Sequence, residues 1–297
     1  MSFPRLGWRE AAYLVLVAGA AVLIVVRWSE LAAIWRAHGV TFAAVTALMA
    51  LAIVVQARTF KSFLQRNDGP GLPAMSGVWA VGVLVNYLGP FQPGLAVRVA
   101  LLARMGVPVA DASIATVRQI FASLWLGLLV AGISMLGLGS AKLAIPAVCA
   151  LGAFAAVSQA LPLLRSVVAR TLGKTRASAL ARHAENAIAL PTVPSAVGVL
   201  SQYVFSAAVF YLGYRQFGVE ITLPAALGLA CVVYASSIVA LFPGNFGVLE
   251  ALVTGFGRVN ELPVDQALAL AFLFRGANIA GALLLAAALF PHKRTAT

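Results

Sequence analysis

Charge is scarce in this chain. Only 10% of its 297 residues are Asp, Glu, Lys or Arg, whereas a soluble globular domain carries about a quarter. Carboxylates are scarcer still, nine against 21 Lys and Arg, which leaves a net charge of +12. There are two cysteines and three histidines. Cys149 and Cys231 both lie in apolar runs, where a thiol acts as a small hydrophobe, so neither a disulfide nor a zinc site is expected. His38, His183 and His292 fall in connecting segments without partner spacing. No GxSxG, HExxH, Walker loop or aspartate cluster occurs, so no catalytic constellation and no cofactor is expected, and the chain is read as a non-enzyme.

What fills the chain instead is apolar: 62% of residues, with a mean hydropathy of +0.96. This composition excludes a soluble domain and implies an all-α polytopic membrane protein forming a single integral membrane domain. A basic surplus in a nucleic-acid binder needs a long soluble face, and none exists here, so nucleic acid is excluded as a partner. Candidate runs for crossing a hydrocarbon core of about 30 Å occur at Ala11–Val26, short but flanked by Trp8 and Trp28 as interface anchors, and at Val40–Ala57, Ser113–Leu138, Leu143–Leu164, Pro194–Phe217 and Asp265–Phe290. The first follows Arg5 and Arg9 like a signal peptide but lacks a small-residue cleavage site, and it is read as a retained span.

Two further apolar stretches are interrupted, 74–104 at Gly89-Pro90-Phe91-Gln92-Pro93-Gly94 and 224–258 at Phe242-Pro243-Gly244-Asn245-Phe246-Gly247. Proline and glycine there split each stretch into two half-length helices. Eight ordinary spans would put the basic loops Arg58–Arg66 and Arg165–Arg182 on opposite sides, against the positive-inside rule. Two re-entrant hairpins leave six spans and put both loops and both termini in the cytoplasm, as expected for a multi-pass protein of the inner membrane. Thirteen of the 21 basic residues then face inward, five face outward, and Arg98, Arg118 and Arg275 stay at membrane depth. The hairpins enter from opposite sides, so repeat units 74–138 and 224–290 form an inverted repeat. Pro93-Gly94 pairs with Pro243-Gly244 at an offset of 150, and Val107-Pro108-Val109 with Leu262-Pro263-Val264 at 155, which requires a five-residue insertion.

Intramembrane charges are costly, and Arg98, Arg118, Glu250 and Arg275 are therefore the leading binding-site candidates. One reading has the arginines holding a phosphate, to which a guanidinium fork is suited, with Glu250 tuning them. The other has Glu250 pairing with Arg98 or Arg275 as a structural link. Arg118 can instead snorkel to the interface. Asn86, Tyr87, Gln92 and Asn245 offer groups for a headgroup or for freed backbone near the breaks, and Asn278, one turn beyond Arg275, shares its face and is expected to line the same cavity. Segment 163–190 reads as a basic interfacial helix interrupted at Gly173, with Arg165, Arg170, Lys174, Arg176 and Arg182 facing anionic inner-leaflet lipids.

The stretch Asn86-Tyr87-Leu88-Gly89-Pro90, Pro93-Gly94, Arg98, Leu101-Leu102-Ala103-Arg104 and Arg118 resembles the first signature of the lysylphosphatidylglycerol synthase transmembrane-region family, also called flippase-like domain proteins. Phe242 to Ala251, Leu262-Pro263-Val264 and Arg275 resemble the second. The resemblance runs from about Val40 to Phe290. It implies a stand-alone member without the soluble aminoacyl-transferase domain, translocating a polar or anionic phospholipid or a lipid-linked headgroup between leaflets. A membrane-embedded enzyme or accessory subunit acting on a lipid phosphate is the alternative. The topology has a direct check: Arg66→Cys and Lys174→Cys, each in a background without Cys149 and Cys231, are expected to be labelled from the same side of the membrane, and labelling from opposite sides refutes the hairpins.

Overall fold

A computed structural model describes residues 39–64, 69–88, 92–137, 141–171, 190–238 and 245–290, and the described residues form nine helices and no strand. They are α1 (Gly39–Phe63), α2 (Leu72–Asn86), α3 (Pro93–Arg104), α4 (Val109–Gly137), α5 (Ala141–Thr171), α6 (Val193–Gln216), α7 (Leu223–Ile238), α8 (Val248–Val259) and α9 (Val264–Leu289). Five are long and apolar enough to span a membrane: α1, α4, α6, α9 and the part of α5 from Ala147 to Leu164. These match five of the six spans read from the sequence, and the sixth, Ala11–Val26, lies outside the described residues. The chain is a multi-pass, all-helical membrane protein.

Both interrupted stretches are indeed pairs of short helices, α2 with α3 and α7 with α8. In the first pair the break is shorter than the proline–glycine pattern implies. Pro93 is the first residue of α3, where its missing N–H costs nothing, and the turn before it is made by Gln92 at φ 52°. Helix α3 runs back along α2. Gly94 lies against the Gly82 carbonyl, where a Cβ would collide, and its N–H donates to Asn86 Oδ1 at 2.8 Å. Further along, the Arg98 guanidinium reaches Trp79.

The basic segment beginning at Leu163 is not a separate helix at its start, because α5 continues without interruption to Thr171. Its 31 residues extend about 46 Å, more than the hydrocarbon core needs, and Arg170, beyond the apolar part Ala147–Leu164, is exposed. Lys174, Arg176 and Arg182 lie outside the described residues.

The two units share one register, and it differs from the one that pairs the proline–glycine dipeptides. The N-caps Gln92 and Gly247 are 155 positions apart. So are the C-caps Met105 and Asn260, and the first residues of the following helices, Val109 and Val264. The turns between them match bond for bond. Val107 N–H reaches the Leu102 carbonyl and Leu262 N–H the Gly257 carbonyl, with Gly106 and Glu261 at positive φ in the left-handed C′ position. No insertion falls between break and turn. The extra residues lie in the second break itself, before Gly247.

Packing follows the repeat reciprocally, with α9 against α2 and α7 against α4. The preceding helices α1 and α6 pack on each other antiparallel, since Ser62 meets Ser195 at 3.0 Å at one end and Thr41 donates to Gln216 at 2.9 Å at the other. Equivalent helices running antiparallel is the relation an inverted repeat requires. Two apolar cores result. One gathers Phe60, Trp79, Leu102, Ala115 and Tyr203, and the other Val45, Phe210, Tyr214, Leu229, Val253 and Phe274, so α1 and α6 each give one half to either core. The tight α2–α3 contact gives a prediction. Gly94→Ala is expected to lower stability by about 1–3 kcal/mol through overpacking, whereas Gly152→Ala on the open face of α5 leaves it unchanged or raises it, as read by thermal unfolding in detergent.

Candidate functional site

Between the two cores lies a cavity of about 250 Å³. Its wall takes Gln56 from α1, Gln119 from α4, Ser206 from α6 and Tyr234 from α7, together with residues of both breaks and of α9. Six of the eight residues singled out in the sequence line it: Asn86, Gln92, Arg98, Asn245, Arg275 and Asn278. Glu250 stands behind the wall as the partner of Arg275, and Arg118 does not line it. Arg118 is half-buried beside Gln119, and adjacent residues on a helix face about 100° apart, so on this turn Thr116, Gln119 and Ile120 reach the cavity and Arg118 does not.

The two cavity arginines stand in opposite electrostatic conditions. Arg275, 5% exposed, is held by Glu250: Nε donates to Oε1 at 2.8 Å and the second terminal nitrogen approaches the same oxygen at 2.6 Å. Phe246 covers the guanidinium, its ring centroid 3.9 Å from the guanidinium carbon, and Tyr87 lies at 5.7 Å. The other carboxylate oxygen, Oε2, accepts the Gly247 N–H at 2.8 Å, which caps α8 and places negative charge at its positive end. Glu250 therefore ties α8 to α9 and neutralises Arg275 in one contact.

Arg98 has no such partner. Among the described residues no carboxylate pairs with it, and its buried Nε has no hydrogen-bond acceptor. Its guanidinium carbon sits 4.3 Å from the Trp79 ring centroid, and the stem crosses α2 at Gly82, where any Cβ would strike Nε. Trp79 is fixed in turn by donating Nε1–H to Gln56 Oε1 at 3.1 Å. Arg98 is thus oriented by an aromatic face and by the Gly82 backbone, with no carboxylate beside it among the described residues.

The amides at the breaks divide between support and exposure. Asn86 caps α3 through Gly94, so the capping role holds for it. Asn245, at φ 57°, donates to Ser236 Oγ at 3.3 Å while its buried Oδ1 has no partner. Asn278 donates to Tyr87 Oη at 2.9 Å, a link between the two units across 191 positions. Sequence reasoning missed Gln56, Gln119, Trp79 and Tyr234. The available signal was an amide inside an apolar span, since Gln56 and Gln119 are as out of place there as a charge. The ion pair gives the second structural prediction. Glu250→Leu or Arg275→Leu alone should destabilise by about 3–5 kcal/mol, and the double variant by less than the sum of the two, in a double-mutant cycle read by thermal unfolding.

Among curated proteins and among solved structures nothing matches the chain. A family profile does, over residues 11–286, which is nearly the whole length, and it describes the lysylphosphatidylglycerol synthase TM region. With its helical membrane fold, the chain belongs to the lysylphosphatidylglycerol synthase transmembrane-region family.

Proposed function

We propose that the protein is a lipid translocator of the inner membrane. In this reading the α2–α3 and α7–α8 pairs are re-entrant hairpins, the headgroup crosses through the cavity between them, and the acyl chains stay in lipid. The observation that carries the reading is Arg98, a guanidinium lining a cavity between helices long and apolar enough to span a membrane, with an aromatic ring beside it and no carboxylate among the described residues. A charge at membrane depth costs several kcal/mol without a counter-ion, and the phosphate of a lipid headgroup supplies one in the bidentate geometry that arginine prefers.

The surroundings fit this role. Gln119 offers a neutral donor and acceptor in the same cavity wall, and the Arg275–Glu250 pair adds polarity without net charge. Equivalent antiparallel helices around a central cavity support alternating exposure, with one unit rocking against the other. The Tyr87–Asn278 link crosses between the units and would have to open. In this reading exposed Arg170, near the end of α5, meets anionic inner-leaflet lipids, and both termini are cytoplasmic.

Reconstituted vesicles test the reading. Labelled phospholipid should exchange between leaflets in the presence of the protein, and Arg98→Gln should slow exchange by about tenfold or more with unfolding temperature unchanged, while Arg98→Lys keeps part of the rate. Absence of exchange with any lipid would falsify the proposal.

A further inference from the structure

The register that relates the two units extends along their long helices, and on one face those helices differ. On α4 this face is covered by α5. Trp125 donates Nε1–H to Ser158 Oγ at 2.8 Å, with its ring 5.0 Å from that of Phe154, and two turns on Gly132 lies against the Leu151 side chain, where a Cβ would collide. These contacts run in opposite directions along the two helices, so α5 is antiparallel to α4. Leu128 and Leu129, between them, are half-buried. The offset that relates Val109 to Val264 carries the same positions to Ala280, Leu283, Leu284 and Ala287 on α9. There Leu283 is 54% and Leu284 63% exposed, and Ala287 is exposed as well.

Chain order assigns an occupant to that face. Helix α5 precedes α6 and so opens the second unit, yet it packs on the last helix of the first. The run that precedes α1, the counterpart of α6, is Ala11–Val26, which lies outside the described residues. It holds no charged residue, it is long enough as a helix to cover about 24 Å of α9, and the family profile begins at its first residue. Its start and that of the apolar part of α5, Ala11 and Ala147, are 136 positions apart, and the shortfall from the common offset falls in the connection to α6, a segment type that tolerates insertion. Direction agrees too. Phe42 lies at Gly276, and Thr46 and Ala50 at Gly281, so α1 runs parallel to α9, and a span that turns back into α1 runs antiparallel to α9, as α5 does to α4.

We infer that the exposed face of α9 at Leu283 and Leu284 is the docking surface of the chain's own first span, Ala11–Val26, so that the first span of each unit covers the last helix of the other. Ala18, Gly19, Ala20 and Ala21 in the middle of the run suit this contact, because small residues let helix backbones approach closely in lipid. The exchange ties the two units together at their outer helices and does not depend on what the cavity carries.

Cysteine cross-linking of the full-length protein in native membranes tests this. In a background with Cys149→Ala and Cys231→Ala, Leu284→Cys is combined with one cysteine at each position from Ala12 to Val22, and a protease site is inserted between Arg27 and His38. Oxidation with copper phenanthroline is expected to hold the two protease fragments together at scan positions about 3.6 residues apart, those on one face of the run. Ile133→Cys, exposed on α4, is expected to give no such product with any scan position. Ala280→Cys serves as a second anchor if Leu284→Cys lowers the unfolding temperature. No linked fragments with either anchor, in protein that keeps its unfolding temperature, overturns the inference. Linkage to Ile133→Cys instead places the span on α4 and overturns it, and dimers formed through Leu284→Cys alone put a second copy on this face and overturn it as well.

Discussion

A guanidinium inside a bilayer must share its charge with a carboxylate, an aromatic face, water or a bound anion, because the hydrocarbon gives it nothing. The interior of this protein is organised around two solutions to that requirement. Arg275 receives a carboxylate, two aromatic rings and a place deep in α9, and the pair it forms fixes the start of α8. Arg98 receives a tryptophan face and a glycine to lie across, and nothing anionic among the described residues. The first arrangement is closed and structural. The second has no carboxylate among the described residues, and the proposed headgroup chemistry centres on it.

The apolar architecture makes that incompleteness tolerable. Neither unit has a core of its own making: each core borrows one half of α1 and one half of α6, and each unit's long helix packs on the other unit's first short helix. The space left between two such interlocked cores is bounded by the breaks, where helices end and polar backbone must be satisfied. Asn86 and Glu250 perform that task at the starts of α3 and α8, which puts polar side chains at the same depth as the arginines. Cavity and breaks are consequences of the same interruption in the helices.

Much of this was legible in the sequence, for reasons that can be named. Span positions follow from run length, and the five long helices agree with the runs within a few residues except where α1, α4 and α5 continue past their apolar cores. The broken stretches follow from proline and glycine. The repeat register was legible only in part. Pro93 opens a helix, whereas Pro243 precedes a break ending at Gly247, so the two dipeptides look alike and sit at different places in the repeat. The Val-Pro-Val and Leu-Pro-Val turns carry the true offset, because the C′ position and the following Pro must fall at fixed places after a helix end. At the site, charges and break-adjacent amides were found because they are anomalous in lipid. Which arginine takes Glu250 was not legible, since Arg98 and Arg275 are equally charged and only packing brings one of them to α8.

The shared register also shows how unlike the two halves are chemically. At the position equivalent to Arg98 the second unit has Val253, fully buried in its core, and opposite Glu250 and Arg275 the first unit has Leu95 and Ile120, both in the cavity wall. A pore that treated both directions alike would want similar chemistry from each half. Here one unit supplies the open cation and the other an internally neutralised pair. An anion bound to Arg98 is therefore held by the α2–α3 hairpin, and the α8–α9 side meets it through neutral groups and the Tyr87–Asn278 link. The asymmetry thus sets a cation without a carboxylate partner among the described residues in the first repeat and a neutralised pair in the second.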